Sequence, residues 1–228
     1  MLDDLRDKWL SILSPYVDHA SYATNAFESM VKRYSEEGRF YHTMAHVASV
    51  VSVIEDLAKV PSAAPDDPVA VELAGFFHDV VYDSHCHDNE EKSARLAEAW
   101  LDGLEIPRGI IQETSRLILL TVDHRAAPLD RNGSVLIDAD LSILGAEHDE
   151  YERYHAELRR EYGWMDDIDF NAQRLEIVEG LLGREHIFQT GICRNTLETV
   201  ARANLVIELA ELKAAAAEDL TTKWLDDC

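Results

Sequence analysis

Basic side chains are scarce in this chain: 21 Lys and Arg stand against 44 Asp and Glu, for a formal charge of -23. So acidic a chain argues against a partner held by phosphate contacts alone, and no long nucleic acid is expected. Cysteine is rarer still. Cys86, Cys193 and Cys228 form an odd set without CxxC spacing, which fits reduced thiols in a cytoplasmic protein rather than a disulfide framework. Glycine and proline, at 10 and 6 of 228 residues, are too few for collagen-like, mucin-like or largely disordered classes. No apolar run approaches the roughly 20 residues that cross a bilayer, and the acidic start MLDDLRDKWLSIL has no basic leader. No membrane partner is expected.

Hydrophobic residues make up 46% of the chain, and their spacing is helical. Leu5, Trp9 and Leu13 recur with a helix period, as do His46, Val50 and Ile54. The run from Val69 through Phe76 and Phe77 to His78 and Asp79 is unusually apolar, the mark of a central helix, with Asp66 or Asp67 placed to cap it. VLIDADLSILG reads as a strand by its branched residues, but Leu136, Asp140 and Leu144 also form a helical row, and helical neighbours favour the helix. The expectation is an all-α bundle of about nine or ten helices. No repeat or linker divides the chain, so residues 1–228 read as one domain with the terminal helices packed on its core.

The chemistry concentrates in histidines and carboxylates. His46, the adjacent pair His78 and Asp79, and Asp140 offer two imidazoles and two carboxylates, a nitrogen and oxygen set suited to Mn, Fe, Zn or Co and less naturally to Mg. Asp138 competes with Asp140, since two helix positions two residues apart point about 200° away from each other. There is no GxxxxGK phosphate loop, GxSxG elbow or HExxH zinc motif.

Three segments, RFYHTMAHVASVV, ELAGFFHDVVYD and LIDADLSILG, resemble the HD superfamily of metal-dependent phosphohydrolases. NEEKSA, TVDH and TVARANLVIEL make the chain similar to its small subgroup of predicted phosphohydrolases. The resemblance implies an HD-domain helical bundle with His46, His78, Asp79 and Asp140 on the metal, and whether one or two ions bind is left open. It implies catalytic roles for Asp79, for His124 ahead of the last aspartate, and for Glu90, which could orient water. His42, Lys92, Ser93 and Arg125 are the expected substrate contacts.

Each of these residues also has a plainer reading. His42 could be a cap or surface histidine one turn before His46, and His124 a helix-end histidine. Only one side of the NEEKSA helix can face a site, and Glu90 and Glu91 could simply complement its N-terminal amides. His85 and His87, near Asp83 and Asp88, could add ligands or be solvated. Tyr151, Tyr154, Tyr162 and Trp164 could line a base pocket or pack in the core. Arg116, Arg131 and Arg174 could meet phosphate or be paired.

The expected function is divalent-metal-dependent hydrolysis of a small phosphate monoester or nucleotide, the partner being a small phosphorylated metabolite. A di-iron oxygenase of HD fold and a non-catalytic nucleotide-binding or regulatory protein are the alternatives. Assembly as a homo-oligomer is left open.

Overall fold

A computed structural model describes the backbone of residues 1–226 and the side chains of residues 1–217; Cys228 lies outside the described residues. Among them there are eleven α-helices, a 3₁₀ turn and no strand. The helices are α1 (Leu2–Leu13), α2 (Ala20–Arg33), α3 (Met44–Ala58), α4 (Pro68–Phe77), α5 (Asn89–Gly103) and α6 (Arg108–Leu120). They continue as α7 (Arg131–Asp140), the turn Leu141–Gly145, α8 (His148–Glu161), α9 (Asp167–Leu182), α10 (Gly191–Thr196) and α11 (Glu198–Asp226). No helix among the described residues is long and apolar enough to cross a membrane.

Local chemistry sets several of these boundaries. Asp67 caps α4 by accepting from Ala70 N at 3.0 Å, with Pro68 just inside the helix. Asp130 caps α7 in the same way, accepting from Gly133 N at 2.9 Å. Thr43 caps α3, so His42 precedes the cap and belongs to the loop. LIDAD is helical, and LSILG tightens into the 3₁₀ turn. The HIFQTGIC stretch contains an additional short helix, α10, capped by Thr190.

The largely apolar α4 lies at the centre, packed against α3, α6 and α7, with its one charged side chain, Glu72, paired to Lys8. Val71, Leu73, Ala74, Phe76 and Phe77 are wholly buried there, and each large side chain contributes about 1.5–3 kcal/mol of transfer free energy. α4 meets α3 at Gly75, where a Cβ would come within 2.8 Å of Ile54 Cδ1. This close approach brings the C-terminal end of α4 beside the first turn of α3. Around this centre α5 packs on α6, α1 on α2, and α9 on α11.

Candidate metal centre

Three helix ends converge. His46 lies in the first turn of α3, His78 and Asp79 follow the last residue of α4, and Asp140 is the last residue of α7. His46, His78 and Asp140 each offer a ligand atom, and these atoms all lie within 4.8 Å of one another. The Nε2 atoms of His46 and His78 are 3.0 Å apart. Asp140 Oδ1 stands 3.2 Å from His46 Nε2 and 3.5 Å from His78 Nε2. Asp79 Oδ2 is 3.0 Å from His78 Nε2 and 3.6 Å from His46 Nε2.

These separations can be tested against a shared ion. Ligand atoms about 2.1 Å from one cation stand about 3.0 Å apart at right angles and about 3.4 Å apart in a tetrahedron, so the donor set fits. His78 Nδ1 donates to Gly75 O at 3.0 Å, which leaves the Nε2 lone pair facing the cluster. The carbonyl ends of α4 and α7 add negative potential at the same place. The buried His46, His78 and Asp140 can therefore coordinate a divalent metal.

Electrostatics agree with the geometry. Burial pushes His46 below its ordinary value. Burial also opposes charge on His78, but Asp79 and Asp140 outweigh it and hold that ring well above the usual imidazole range. Against the cost of burial, His78 and then His42 keep Asp79 low, while His78 and the hydrogen bond from His124 keep Asp140 low. A proton on His78 and a divalent cation are thus alternative ways to neutralise the two carboxylates.

The remaining expected residues distribute unevenly. His124 Nε2 lies 2.8 Å from Asp140 Oδ2, brought there by a left-handed backbone turn at φ 48°. His42, although in the loop, reaches the site, with Nε2 3.9 Å from Asp79 Oδ2. Both face a chamber of about 740 Å³ that Asp79, Asp140, Glu90 and Arg125 also line. A smaller cavity of about 330 Å³ reaches His46 and Asp140 from the side of Ser49 and Glu150.

Two expected substrate contacts are corrected. The Ser93 hydroxyl is wholly buried and bonds both Val81 N (3.1 Å) and Val81 O (3.2 Å). Lys92 sits on the outer face of α5, paired with Asp88 at 2.6 Å. Neither lines the chamber, because α5 turns Glu90 toward it instead. Asp138, the rival of Asp140, is buried on another side of α7, where it accepts from Gln189 N and Thr190 N at 2.7 Å each.

His85 and His87 line the chamber but stand outside the cluster; His85 pairs with Asp83 at 3.0 Å and stacks on Trp164 at 4.3 Å. Tyr154, Tyr162 and Trp164 form part of the chamber wall, while Tyr151 is core. Arg116 pairs with Glu113 and Asp130, and Arg131 with Asp66. Arg174, on the chamber side of α9, donates from Nε to Glu208 Oε1 at 2.6 Å and from Nη2 to Glu208 Oε2 at 3.1 Å. Tyr151 donates to the same carboxylate, and Tyr154 accepts from Arg174 at 3.3 Å.

Two residues that no motif singled out hold the site loop. Glu161, at the end of α8, accepts from the backbone N–H groups of Phe40, Tyr41 and His42 at 2.8, 2.8 and 2.9 Å, and from His42 Nδ1 at 2.6 Å. Burial opposes its ionisation, yet these donors bring its pKa down to about 2. Arg39 donates to Asp79 O, His42 O and Val80 O at 2.7, 3.1 and 3.2 Å. It therefore ties the His42 loop to the residues after α4. The sequence signal for Arg39 was its place in RFYH; for Glu161 there was none, since its partners are backbone groups about 120 positions away.

Compared with known proteins, the chain matches no family model, no curated protein and no solved structure.

Proposed function

We propose that this protein is a divalent-metal-dependent phosphohydrolase acting on a small phosphate monoester or nucleotide, of the HD type that its motifs resemble. The observation that carries this reading is the buried His46, His78 and Asp140 cluster with the Asp79 carboxylate beside it, opening on a chamber large enough for a small phosphate ester. In this reading His46, His78, Asp79 and Asp140 hold the ion. A bound divalent cation supplies Lewis acidity, lowering the pKa of water and polarising a phosphoryl oxygen.

The protein groups supply the rest. Asp79 and His124 border both the cluster and the chamber, so each can hold a proton or a hydrogen bond at the reacting phosphoryl group. Glu90 offers a carboxylate to orient water, and His42, braced by Glu161, presents Nε2 from the opposite loop. Arg125 gives the chamber a positive charge for a phosphate oxygen. The aromatic wall of Tyr154, Tyr162 and Trp164 accommodates an organic leaving group.

The test is Asp79→Asn, which keeps size while removing an anionic ligand. The variant is expected to keep its helical circular dichroism, to lose bound metal in elemental analysis, and to release phosphate from small esters at least about a hundredfold more slowly. Unchanged metal stoichiometry and unchanged phosphate release would put the chemistry elsewhere.

A further inference from the structure

Six arginines make no ion pair among the described residues, and two of them, Arg125 and Arg184, line the chamber. Arg184, just after α9, uses its guanidinium on backbone alone: Nη1 donates to His124 O at 2.9 Å and Nη2 to Asp123 O at 3.0 Å. Its Nε is buried without a hydrogen-bond partner. Arg125 follows His124 directly, is exposed, and makes no ion pair among the described residues. Both line the chamber.

The two cations are close. Arg184 is bonded to the carbonyl of the residue preceding Arg125, and, after burial, Arg125 is the main influence disfavouring charge on Arg184. Asp123 favours that charge but forms no ion pair with it. The loop between them is fixed rather than loose. His124 takes the left-handed conformation at φ 48°, its ring is held by Asp140 at 2.8 Å, and Ala126 N donates to Gln189 Oε1 at 3.1 Å. A non-glycine residue held in that conformation costs of order 1 kcal/mol or more, so the surrounding contacts must impose it.

His124 therefore spans from the metal cluster at its ring to Arg184 at its carbonyl. Two guanidiniums lining one chamber without a protein anion, one of them braced on backbone carbonyls, can receive an outside anion, because planar forks bind carboxylate and phosphate oxygens and cannot discharge by losing a proton.

Resting on the phosphohydrolase reading, we propose that Arg125 and Arg184 form a second anion subsite, one residue's length from the metal cluster, and that the substrate is a small phosphate ester carrying a second anionic group. The shared chemistry is an oxyanion, either a carboxylate or a second phosphate. A neutral leaving group would leave both cations without an anionic partner.

Matched ester pairs test this. 3-Phosphoglycerate against glycerol 3-phosphate varies a carboxylate; propane-1,3-diyl bisphosphate against 3-hydroxypropyl phosphate varies a phosphate. The metal-loaded protein is expected to favour the doubly anionic member of at least one pair by about tenfold or more in kcat/KM, and the preferred pair identifies the oxyanion. Arg125→Ala touches no backbone brace and is expected to reduce that preference to about twofold or less, chiefly through KM. Arg184→Lys, which keeps the charge and loses the fork, is expected to lose part of it.

Equal kcat/KM within both pairs, or a preference that survives Arg125→Ala, overturns the subsite while leaving the hydrolase reading intact. Calorimetric binding of the same esters separates the opposite case. If nothing is hydrolysed but the doubly anionic ester binds more tightly in an Arg125-dependent way, the hydrolase reading fails and the subsite stands.

Discussion

The cluster of His46, His78, Asp79 and Asp140 and the cluster of Arg174, Glu208 and Tyr151 both lie in the interior beside the same chamber, yet they balance charge by different means. In the second, a guanidinium and a carboxylate face each other in a two-point contact, and tyrosine hydroxyls occupy the remaining hydrogen-bonding sites. Nothing from outside is needed. In the first, two carboxylates and two imidazole nitrogens turn toward one point, and only a ring proton offsets the negative charge from within. Burying charge is costly unless it is paired. A buried cluster that leaves its own carboxylates in excess can take up an added cation, whereas one that closes on itself serves the fold.

The largest test of that contrast is Arg174→Ala. Removing one member of the closed pair leaves Glu208 buried without its guanidinium, with the Tyr151 hydroxyl and His155 Nε2 at 3.3 Å as its remaining neighbours, and the expected loss is about 3–5 kcal/mol in urea unfolding. Metal stoichiometry is expected to stay the same in any folded fraction. The double replacement Arg174→Met with Glu208→Leu should recover most of the stability; if it does not, the pair does more than neutralise itself.

Glu161 offers a second test, through pH. Its folded-state pKa of about 2 lies below the ordinary 4.5. The stabilisation it provides is therefore fully present above pH 4.5 and is lost as the pH falls toward 2. Its size is about 3 kcal/mol. Urea midpoints measured from pH 6 down to pH 2.5 should fall less steeply in Glu161→Gln; identical slopes would show that the three backbone donors do not stabilise its ionised form.

The smallest effect separates two neighbours on one helix. Asp138→Asn weakens the acceptors for Gln189 and Thr190 and is expected to cost about 1–3 kcal/mol without changing bound metal, whereas Asp140→Asn should lower metal affinity. Reversed results would exchange the two carboxylates between structure and chemistry.

That pair also shows how much was legible in the sequence. Helix rotation separates Asp138 from Asp140, and the row through Leu136 and Leu144 picked out the one that meets the histidines. The largely apolar approach to His78 and Asp79 marked α4 as central. Periodicity could not reveal what irregular backbone brings in. His42 and His124 sit in loops, and a cap at Thr43 and a left-handed residue decide where their rings go. Lys92 and Ser93 shared a segment with Glu90 but point elsewhere on α5. Glu161 was invisible because three of its four donors are backbone amides, which leave no pattern in the sequence, and the fourth, His42 Nδ1, lies 119 positions away.

Gly75 carries a consequence for the reactive end of the molecule. Its missing side chain lets two helices touch, and its carbonyl steers the ring of His78. The spacing between the two imidazoles is thus gauged from inside the hydrophobic interior, by a residue with no donor of its own. A methyl inserted there would act as a shim, prying the nitrogens apart and retuning which ion radius the pair prefers, with every ligand still in place.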